Sequence, residues 1–251
     1  MEATFRAADL ALIYRSVHIA KSTDEGRPLL CGIRLDNYPG AGIRLTATDS
    51  YILITGWVPV IGDGDTIQHA PDVYDTPDVS YTLADPDGHL LRLMTWAAKE
   101  AKDLAKIGDA PSPVMKLTVG EDRTGFALEG MNPTVATFHA PTLGKTFRTT
   151  IIEGPYANWQ LLFAAKPSGL KGPVGFGSQG VLRLGKLAEI WGAACLEMSF
   201  SGAESPVRVA VKGGGYDLRE TAVECEGLAM PVRLSRNDSG STSAVPIHET
   251  D

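Results

Sequence analysis

Two glycine-containing segments have the residue types that are found in phosphate-binding loops. Gly175–Gly180 has the spacing GxGxxG and precedes a predicted helix, where backbone N–H groups could approach a pyrophosphate. However, no β-α-β repeat surrounds it, and twenty residues further on stands Phe200 instead of a ribose-binding acid. Gly180–Leu187 has Leu187 where a phosphate loop needs a Mg²⁺-binding Ser or Thr. The sequence therefore favours a glycine-rich strand-to-helix turn over a nucleotide site.

The other chemically active side chains form no recognisable catalytic set. The five histidines have neither HExxH nor zinc-finger spacing, and no GxSxG segment is present; they are His18, His69, His89, His139 and His248. Cys31, Cys195 and Cys225 lie far apart, without metal-ligand spacing, and are expected to be reduced thiols in a cytoplasmic protein. We therefore predict a protein that is not an enzyme and has no metal or cofactor; an enzyme is the disfavoured alternative.

A cationic stripe is the strongest pattern among the charged residues. The predicted helix His89–Ile107 carries, at steps of three and four, a polar stripe of Arg92, Thr95, Lys99, Lys102 and Lys106, of which all but Thr95 are cationic. Such a stripe is typical of a solvated helix face, but it also suits sequence-independent contact with phosphates. The net charge of −7 argues against a generally basic DNA-binding protein and is compatible with one basic surface.

The elements that carry this stripe form two similar β-α-β-β-β units. In the first unit, strand Thr4–Arg6 and helix Ala7–Lys21 precede three strands within Arg27–Val60, whose apolar residues alternate as in a sheet with one buried face. The helix has an apolar stripe of Leu10, Ile13, Val17 and Ala20. The second unit consists of strand Ser80–Leu83, helix His89–Ile107, capped by Asp85 or Asp87 and by Gly108, and strands Val114–Val119, Gly125–Glu129 and Thr134–His139.

The remaining chain predicts a shorter third unit and a polar tail. Its elements are a strand at Val174–Phe176, a helix at Val181–Cys195, strands at Leu196–Phe200 and Val207–Val211, and an extended stretch at Asp217–Leu234. From Ser235 onward the chain is polar and rich in Ser and Thr, so we expect disorder there. With 43% hydrophobic and 21% charged residues, the composition is that of a globular protein with a real core.

Four segments resemble the bacterial β sliding clamp, the processivity subunit of the replicative DNA polymerase. STDEGRPLLCG (Ser22–Gly32) and LTATDSY (Leu45–Tyr51) resemble its middle domain. IIEGPYANWQLL (Ile151–Leu162) resembles the junction between its middle and last domains, and LAMPVRL (Leu228–Leu234) resembles its chain end. The resemblance runs from Thr4 to Leu234 in the family's order, without a counterpart of the family's first domain.

This resemblance implies an α+β fold of the DNA-clamp type, with repeated β-α-β-β-β halves, helices inside and antiparallel sheets outside. It implies a clamp domain at residues 1–155, a shortened clamp domain at 156–234 and a disordered tail at 235–251. Either the last domain lacks its first half, or Thr146–Ala165 is a reduced first half with Phe147–Ile152 as its strand.

The same resemblance implies a function and two binding surfaces. The protein is expected to encircle double-stranded DNA without reading sequence, and to tether DNA polymerase and clamp loader through short hydrophobic peptides. The expected DNA-binding residues are Arg15, His18, Lys21, Arg92, Lys99, Lys102, Lys106, Arg183 and Lys186. The expected lining of the peptide groove is Leu30, Thr48, Ser50, Tyr51, Ile52, Leu53, Ala157, Leu161, Leu162, Leu228, Met230, Pro231, Val232, Arg233 and Leu234.

Two departures from the family bear on assembly and partners. Ser50-Tyr51-Ile52 stand where the family has Gly-His-Arg, so the preferred partners are expected to differ. With fewer domains per chain, a closed ring needs a higher homo-oligomer, and a trimer is favoured if two domains are complete. The alternative is a clamp-derived adaptor or regulator that binds peptides and does not encircle DNA. The sequence has no apolar run long enough to cross a membrane and no leader pattern, so a membrane role is not expected.

Overall fold

The computed structural model describes residues 1–61, 70–72, 74–107, 112–121, 133–164, 174–193, 195–202, 205–212, 224–236 and 242–245. The helices are α1 (Ala7–His18), α2 (His89–Ala105) and α3 (Ser178–Trp191), with a 3-10 helix at Gln160–Ala164. The strands are β1 (Glu2–Arg6), β2 (Ile33–Tyr38), β3 (Gly42–Thr48), β4 (Ile52–Pro59), β5 (Val79–Leu83), β6 (Val114–Glu121), β7 (Thr134–Ala140), β8 (Lys145–Thr150), β9 (Cys195–Ser199), β10 (Val207–Lys212), β11 (Glu224–Ala229), β12 (Arg233–Arg236) and β13 (Thr242–Val245).

The first two β-α-β-β-β units exchange their opening strands. One sheet has the order β1-β6-β7-β8, so that the first strand of unit one pairs with the second unit. The other has the order β5-β2-β3-β4-β11-β10-β9, in which β5 of the second unit pairs with β2 of the first. All of these pairings are antiparallel. This exchange joins the two units into one body with a shared core.

Helix α1 lies at the centre of that core, as its apolar stripe predicts. Leu10, Ile13, Val17 and Ala20 are all fully buried, and α1 packs against α2, β3 and β4. The approach of α1 to β4 is so close that a Cβ added at Gly56 would lie 2.7 Å from Cγ2 of Ile13. Burial on this scale makes α1 a structural helix.

Two details of the stretch Arg27–Val60 differ from the sequence prediction. Residues 27–32 form successive turns, in which the Leu30 amide donates to the Arg27 carbonyl and the Cys31 amide to the Pro28 carbonyl, and β2 starts only at Ile33. In addition, every residue of β3 is buried, not only alternate ones. The reason is that α1 covers one face of the sheet, while a second apolar cluster covers the other; its buried members are Leu53, Tyr156, Trp159, Phe163 and Leu228.

The third unit repeats the second one. In unit two, Leu83 at the end of β5 forms an isolated bridge with Ile151, just after β8. In unit three, Gly175 forms the corresponding bridge with Val232, shortly after β11. Between these bridges α3 replaces α2, and β9, β10 and β11 replace β6, β7 and β8. The strand β11 then pairs with β4, with Leu228 opposite Leu53, so the third unit extends the sheet of the first.

Strand β8 decides between the two interpretations of Thr146–Ala165. Phe147 lies in β8 and pairs with Phe138 of β7, so this segment completes unit two and is not a reduced first half of a further domain. Within the described ranges, the chain after β8 therefore forms a single β-α-β-β-β unit. The predicted strand Gly125–Glu129 and the predicted cap Gly108 lie outside the described residues.

The ends of two predicted elements also require correction. The sequence predicted a helix that continues to Ile107, but α2 ends at Ala105 and Ile107 is exposed. The tail from Ser235 was expected to be disordered, but β12 and β13 pair as an antiparallel hairpin that includes parts of it. The other residues of the tail lie outside the described ranges.

A buried carboxylate determines where α2 begins. Asp85 accepts hydrogen bonds from the Leu90 and Leu91 amides at 3.0 and 3.1 Å and from the Tyr14 hydroxyl at 3.0 Å. Burial raises the pKa of Tyr14 well above its usual value, so the hydroxyl remains protonated and donates. Asp85 thus binds the first turn of α2 to the core helix α1, which agrees with its predicted capping role.

We expect Asp85→Ala to lower the free energy of unfolding by about 3 kcal/mol, because it leaves two amides and a buried hydroxyl without their acceptor. Urea denaturation followed by circular dichroism measures this difference. Asp87→Ala is the matched control in the same loop, since Asp87 is exposed, and we expect a change within about 0.5 kcal/mol. Equal effects of the two substitutions would contradict the capping role.

Candidate functional site

The cationic stripe of α2 lies on the solvent side of the helix. Leu90, Leu93, Met94 and Ala97 face the core, and all the predicted cations on the opposite side are exposed: Arg92, Lys99, Lys102 and Lys106. Lys106 forms an ion pair with Asp103 at 2.7 Å, and this hydrogen bond lowers the pKa of Asp103. The Arg92 guanidinium donates to the Asp87 carbonyl at 3.1 Å. The stripe is therefore a solvated, net-positive helix face that phosphates can reach.

The predicted cations of α1 and α3 have other surroundings. Nζ of Lys21 donates to the Asp85 carbonyl at 2.7 Å, and Nε2 of His18 lies 4.0 Å from Oδ2 of Asp85. Arg183 forms an ion pair with Asp49 in the β3–β4 turn. Lys186 is exposed on α3. Three of these four side chains thus contact the protein itself, and the structure does not bring them into the stripe.

A cavity of about 660 Å³ lies between α1 and the C-terminal ends of α2 and α3. The charged residues in its lining are Arg6, Arg15, Lys102 and Glu189. Arg15 therefore lies next to the stripe, sharing this cavity with Lys102. Sequence reasoning missed Arg6, which ends β1 and comes near α2 only through the tertiary fold.

His18 is expected to make the protein less stable as the pH falls below about 6.5. Burial lowers its pKa from 6.5 to about 4, with a further lowering by Lys21 that Asp85 opposes. The folded protein therefore binds this proton less readily than the unfolded chain. The stabilisation is fully present above pH 6.5 and is lost as the pH falls towards 4. From pH 7 to pH 5 this amounts to about 2 kcal/mol.

Urea denaturation of wild type and His18→Gln at pH 7 and pH 5 measures this contribution. In the glutamine variant, the free energy of unfolding is expected to differ much less between pH 7 and pH 5 than in the wild type, because the glutamine side chain does not titrate. The same difference in both proteins would show that other groups cause the pH dependence.

The second candidate surface lies where β4 and β11 meet. The Met230 amide donates to the Tyr51 carbonyl at 2.8 Å, and Ile52 pairs with Ala229. Next to this pairing, the N-terminal turn of α3 encloses a pocket of about 180 Å³. The lining of this junction pocket is Asp49, Tyr51, Ile52, Phe176, Gly177, Gln179, Gly180, Arg183, Ala229, Met230 and Val232.

The turn that carries one wall of the junction pocket is held by Asp49. Its Oδ1 accepts hydrogen bonds from the Tyr51 and Ile52 amides, both at 2.9 Å, and its carboxylate also pairs with Arg183 of α3. Ser50 adopts a φ of 82°, a conformation that non-glycine residues seldom adopt. Asp49 therefore links the β3–β4 turn to α3 and fixes the width of the junction pocket.

The structure divides the predicted groove residues into three groups. Four line the junction pocket: Tyr51, Ile52, Met230 and Val232. Another group is buried, so these residues are core residues and not an accessible groove: Thr48, Leu53, Leu228 and Pro231. A third group is exposed or partly exposed, on turns and loops or in the 3-10 helix: Leu30, Ser50, Ala157, Leu161 and Leu162. The side chains of Arg233 and Leu234 lie outside the described residues.

Sequence reasoning missed the α3 side of this pocket. Phe176, Gln179 and Gly180 come from the GxGxxG segment, which runs from the isolated bridge at Gly175 into the first residues of α3, with Gly177 directly before the helix. The glycine-rich spacing was the available signal, because it predicted a strand-to-helix turn at this place.

The described residues give no support for metal chemistry or a membrane span. Among them, no cluster of three or more His, Cys, Asp or Glu side chains could hold a metal ion. None of the described helices combines the length and the apolar composition that a bilayer span requires.

Known proteins resemble this chain in structure alone. No protein-family model matches the sequence, and no significant match is found among curated proteins. The β subunit of DNA polymerase III from Thermotoga maritima superimposes with a TM-score of 0.56 at 10% identity, over 94% of this chain and 66% of that one. The sliding clamp (DNA polymerase III subunit beta) of Pseudomonas aeruginosa, bound to griselimycin, gives 0.57 at 10% identity, over 93% and 66%.

This chain spans 66% of the length of either clamp. At 10% sequence identity, the match concerns the arrangement of the helices and strands. Antiparallel sheets with three helices, built from repeated β-α-β-β-β units, account for the superposition. The chain therefore has the sliding-clamp fold.

Proposed function

We propose that this protein is a sliding clamp, a processivity factor that encircles duplex DNA and tethers a DNA polymerase. The observation that carries the proposal is the exposed cationic face of α2 on the helical side of a clamp fold. Cations spaced along a helix attract phosphates without reading bases, so the ring can hold DNA and still slide. The protein is not proposed to catalyse a reaction.

The junction pocket is proposed to hold the polymerase and the clamp loader. Its volume of about 180 Å³ suits one large apolar side chain of a short peptide, with Tyr51 and Met230 as flexible walls. Griselimycin is bound to the Pseudomonas aeruginosa clamp, so it can test whether this chain binds the same compound, and loss of that binding in Gly180→Leu would assign it to the junction pocket. Calorimetric titration with griselimycin is expected to show binding to the wild-type protein.

A closed ring requires a homo-oligomer of this chain. The trimer expected from the sequence assumed two complete domains per chain, whereas the described residues contain three β-α-β-β-β units. Light scattering after size exclusion, over a range of concentrations, measures the number of subunits. A monomer at all concentrations would contradict an autonomous ring.

The decisive experiment tests topology. The protein is first loaded onto a nicked circular plasmid by its cognate clamp loader. It is then expected to remain bound in roughly 0.5 M salt, because electrostatic contacts are weak at this salt concentration and only encirclement retains the protein on the DNA. Cutting the plasmid once with a restriction enzyme should then release the protein within minutes. Retention on the linear plasmid, or release from the circle, would exclude encirclement.

A clamp-derived adaptor is the second candidate. It is favoured by the presence of only one β-α-β-β-β unit after β8 within the described ranges, and by the net charge of −7. An adaptor would bind peptides in the junction pocket but would show no topological retention on circular DNA.

A further inference from the structure

Trp96 stands apart from the other tryptophans of the chain. Trp57, Trp159 and Trp191 are 1%, 1% and 4% exposed, whereas Trp96, on α2, is 50% exposed. A tryptophan side chain left half in solvent offers a large apolar surface to a ligand, and tryptophan is enriched among the residues that contribute most to binding.

Cations surround the exposed ring. Arg92 precedes Trp96 by one helical turn and Lys99 follows it by one turn, and both are exposed. From β8, the Lys145 ammonium lies 5.9 Å from the centroid of the Trp96 ring. The acids nearby are Asp103, which is paired with Lys106, and Glu100. The surface therefore combines an aromatic face with an excess of positive charge.

We propose that Trp96, Arg92, Lys99 and Lys145 form a binding platform for single-stranded DNA. An unpaired strand offers phosphates to the cations and unstacked bases to the indole ring, and base–aromatic stacking is sequence-tolerant. A duplex offers the phosphates but keeps its bases stacked inside. The platform shares Arg92 and Lys99 with the cationic stripe that is proposed to bind duplex, so it suits the single-stranded template that adjoins a duplex end. Binding of single-stranded DNA to this platform does not depend on closure of a ring.

Tryptophan fluorescence tests this proposal directly, because Trp96 is the one solvent-accessible tryptophan among the four. Adding a 20-residue oligothymidylate is expected to quench the emission. Trp96→Ala is expected to weaken binding of fluorescein-labelled oligothymidylate about tenfold, as measured by anisotropy, and to leave binding of a blunt duplex within about twofold. Trp96→Phe should retain most of the affinity.

Two further variants separate stacking from charge. Lys145→Ala is expected to reduce the slope of log affinity against log salt concentration by about 0.7, which is the value for one phosphate contact with a single strand. Trp96→Ala should leave this slope unchanged. Ile107→Ala is the matched control, since Ile107 is 73% exposed and lies just beyond the end of α2. Ile107→Ala should change neither the affinity for oligothymidylate nor the affinity for the blunt duplex.

The proposal is wrong if Trp96→Ala leaves oligothymidylate binding unchanged, or weakens duplex binding equally. It is also wrong if the emission shifts to the blue as the protein concentration rises without DNA, because a second copy of the chain then covers Trp96. Neither result bears on encirclement, which the plasmid experiment tests separately.

Discussion

Reversing the charges of Lys99, Lys102 and Lys106 to glutamate is expected to weaken duplex binding by roughly 100-fold or more at 0.1 M salt. Lys99 and Lys102 are exposed on α2, and Lys106 is exposed directly after it, so the substitutions remove three of the proposed phosphate contacts without disturbing the core. Each lost contact should reduce the slope of log affinity against log salt by about 0.9. Polymerase stimulation on a long primed template should fall to the level without clamp.

The control for this effect is a lysine with the same exposure on another surface. Lys116 lies in β6 between the buried residues Met115 and Leu117, so its side chain points to the outer face of the sheet. Lys99→Glu and Lys116→Glu change the net charge equally, but only Lys99→Glu is expected to weaken duplex binding. If both variants weakened it equally, general repulsion would explain the loss and the helix face would not be the DNA-binding surface.

Filling the junction pocket is expected to abolish partner binding while the protein remains folded. In the Gly180→Leu variant, the new Cβ meets Cδ1 of Ile52 at 3.7 Å, an ordinary contact, and the leucine side chain extends into the pocket of about 180 Å³. A peptide that inserts an apolar anchor there should bind roughly 30-fold more weakly or worse. The thermal stability should be unchanged or slightly higher, because leucine is a better helix former than glycine.

Gly185 provides the matched control on the same helix. A Cβ at Gly185 meets nothing within 4 Å and the position is exposed, so Gly185→Leu makes the same chemical change away from the pocket. Binding of a fluorescent leucine- and phenylalanine-containing peptide, followed by anisotropy, should be lost in Gly180→Leu and retained in Gly185→Leu. Retained binding in Gly180→Leu would place the peptide site elsewhere on the molecule.

The two variants also separate the two proposed functions. A clamp needs both surfaces, so either change should stop polymerase stimulation. An adaptor needs the pocket alone, so the glutamate substitutions on α2 should leave its peptide binding intact. Measuring both activities on both variants therefore distinguishes the candidates.

Sequence periodicity was sufficient to predict the local structure. The alternation in β3 and β4 and the apolar stripe of α1 follow from which side chains must leave water, and the structure confirms these elements to within a few residues. The exposure of the α2 stripe was also predictable, because those cations repeat at helical spacing opposite a core stripe. The limits of such reasoning appear at Ile107, which continues the apolar spacing beyond the end of the helix.

Tertiary contacts decided which predicted residues are accessible. Leu53 and Leu228 have the strand pattern of groove residues, but the segment that contains Trp159 and Phe163 packs over them and buries them. His18 and Lys21 resemble the cations of α2 in sequence, but both lie next to Asp85. No local pattern reports that a distant segment will cover a surface.

By itself, the sequence determined the helix α1, the strands β3 and β4 and the cationic face of α2, because these follow from the periodicity of side chains along one element. Only the tertiary structure decided that β8 completes the second unit, that β11 joins β4, and that the turn before α3 forms a wall of the junction pocket. The physical reason is that strand pairing and pocket formation depend on contacts between residues far apart in the chain, and these contacts leave no fixed spacing in the sequence.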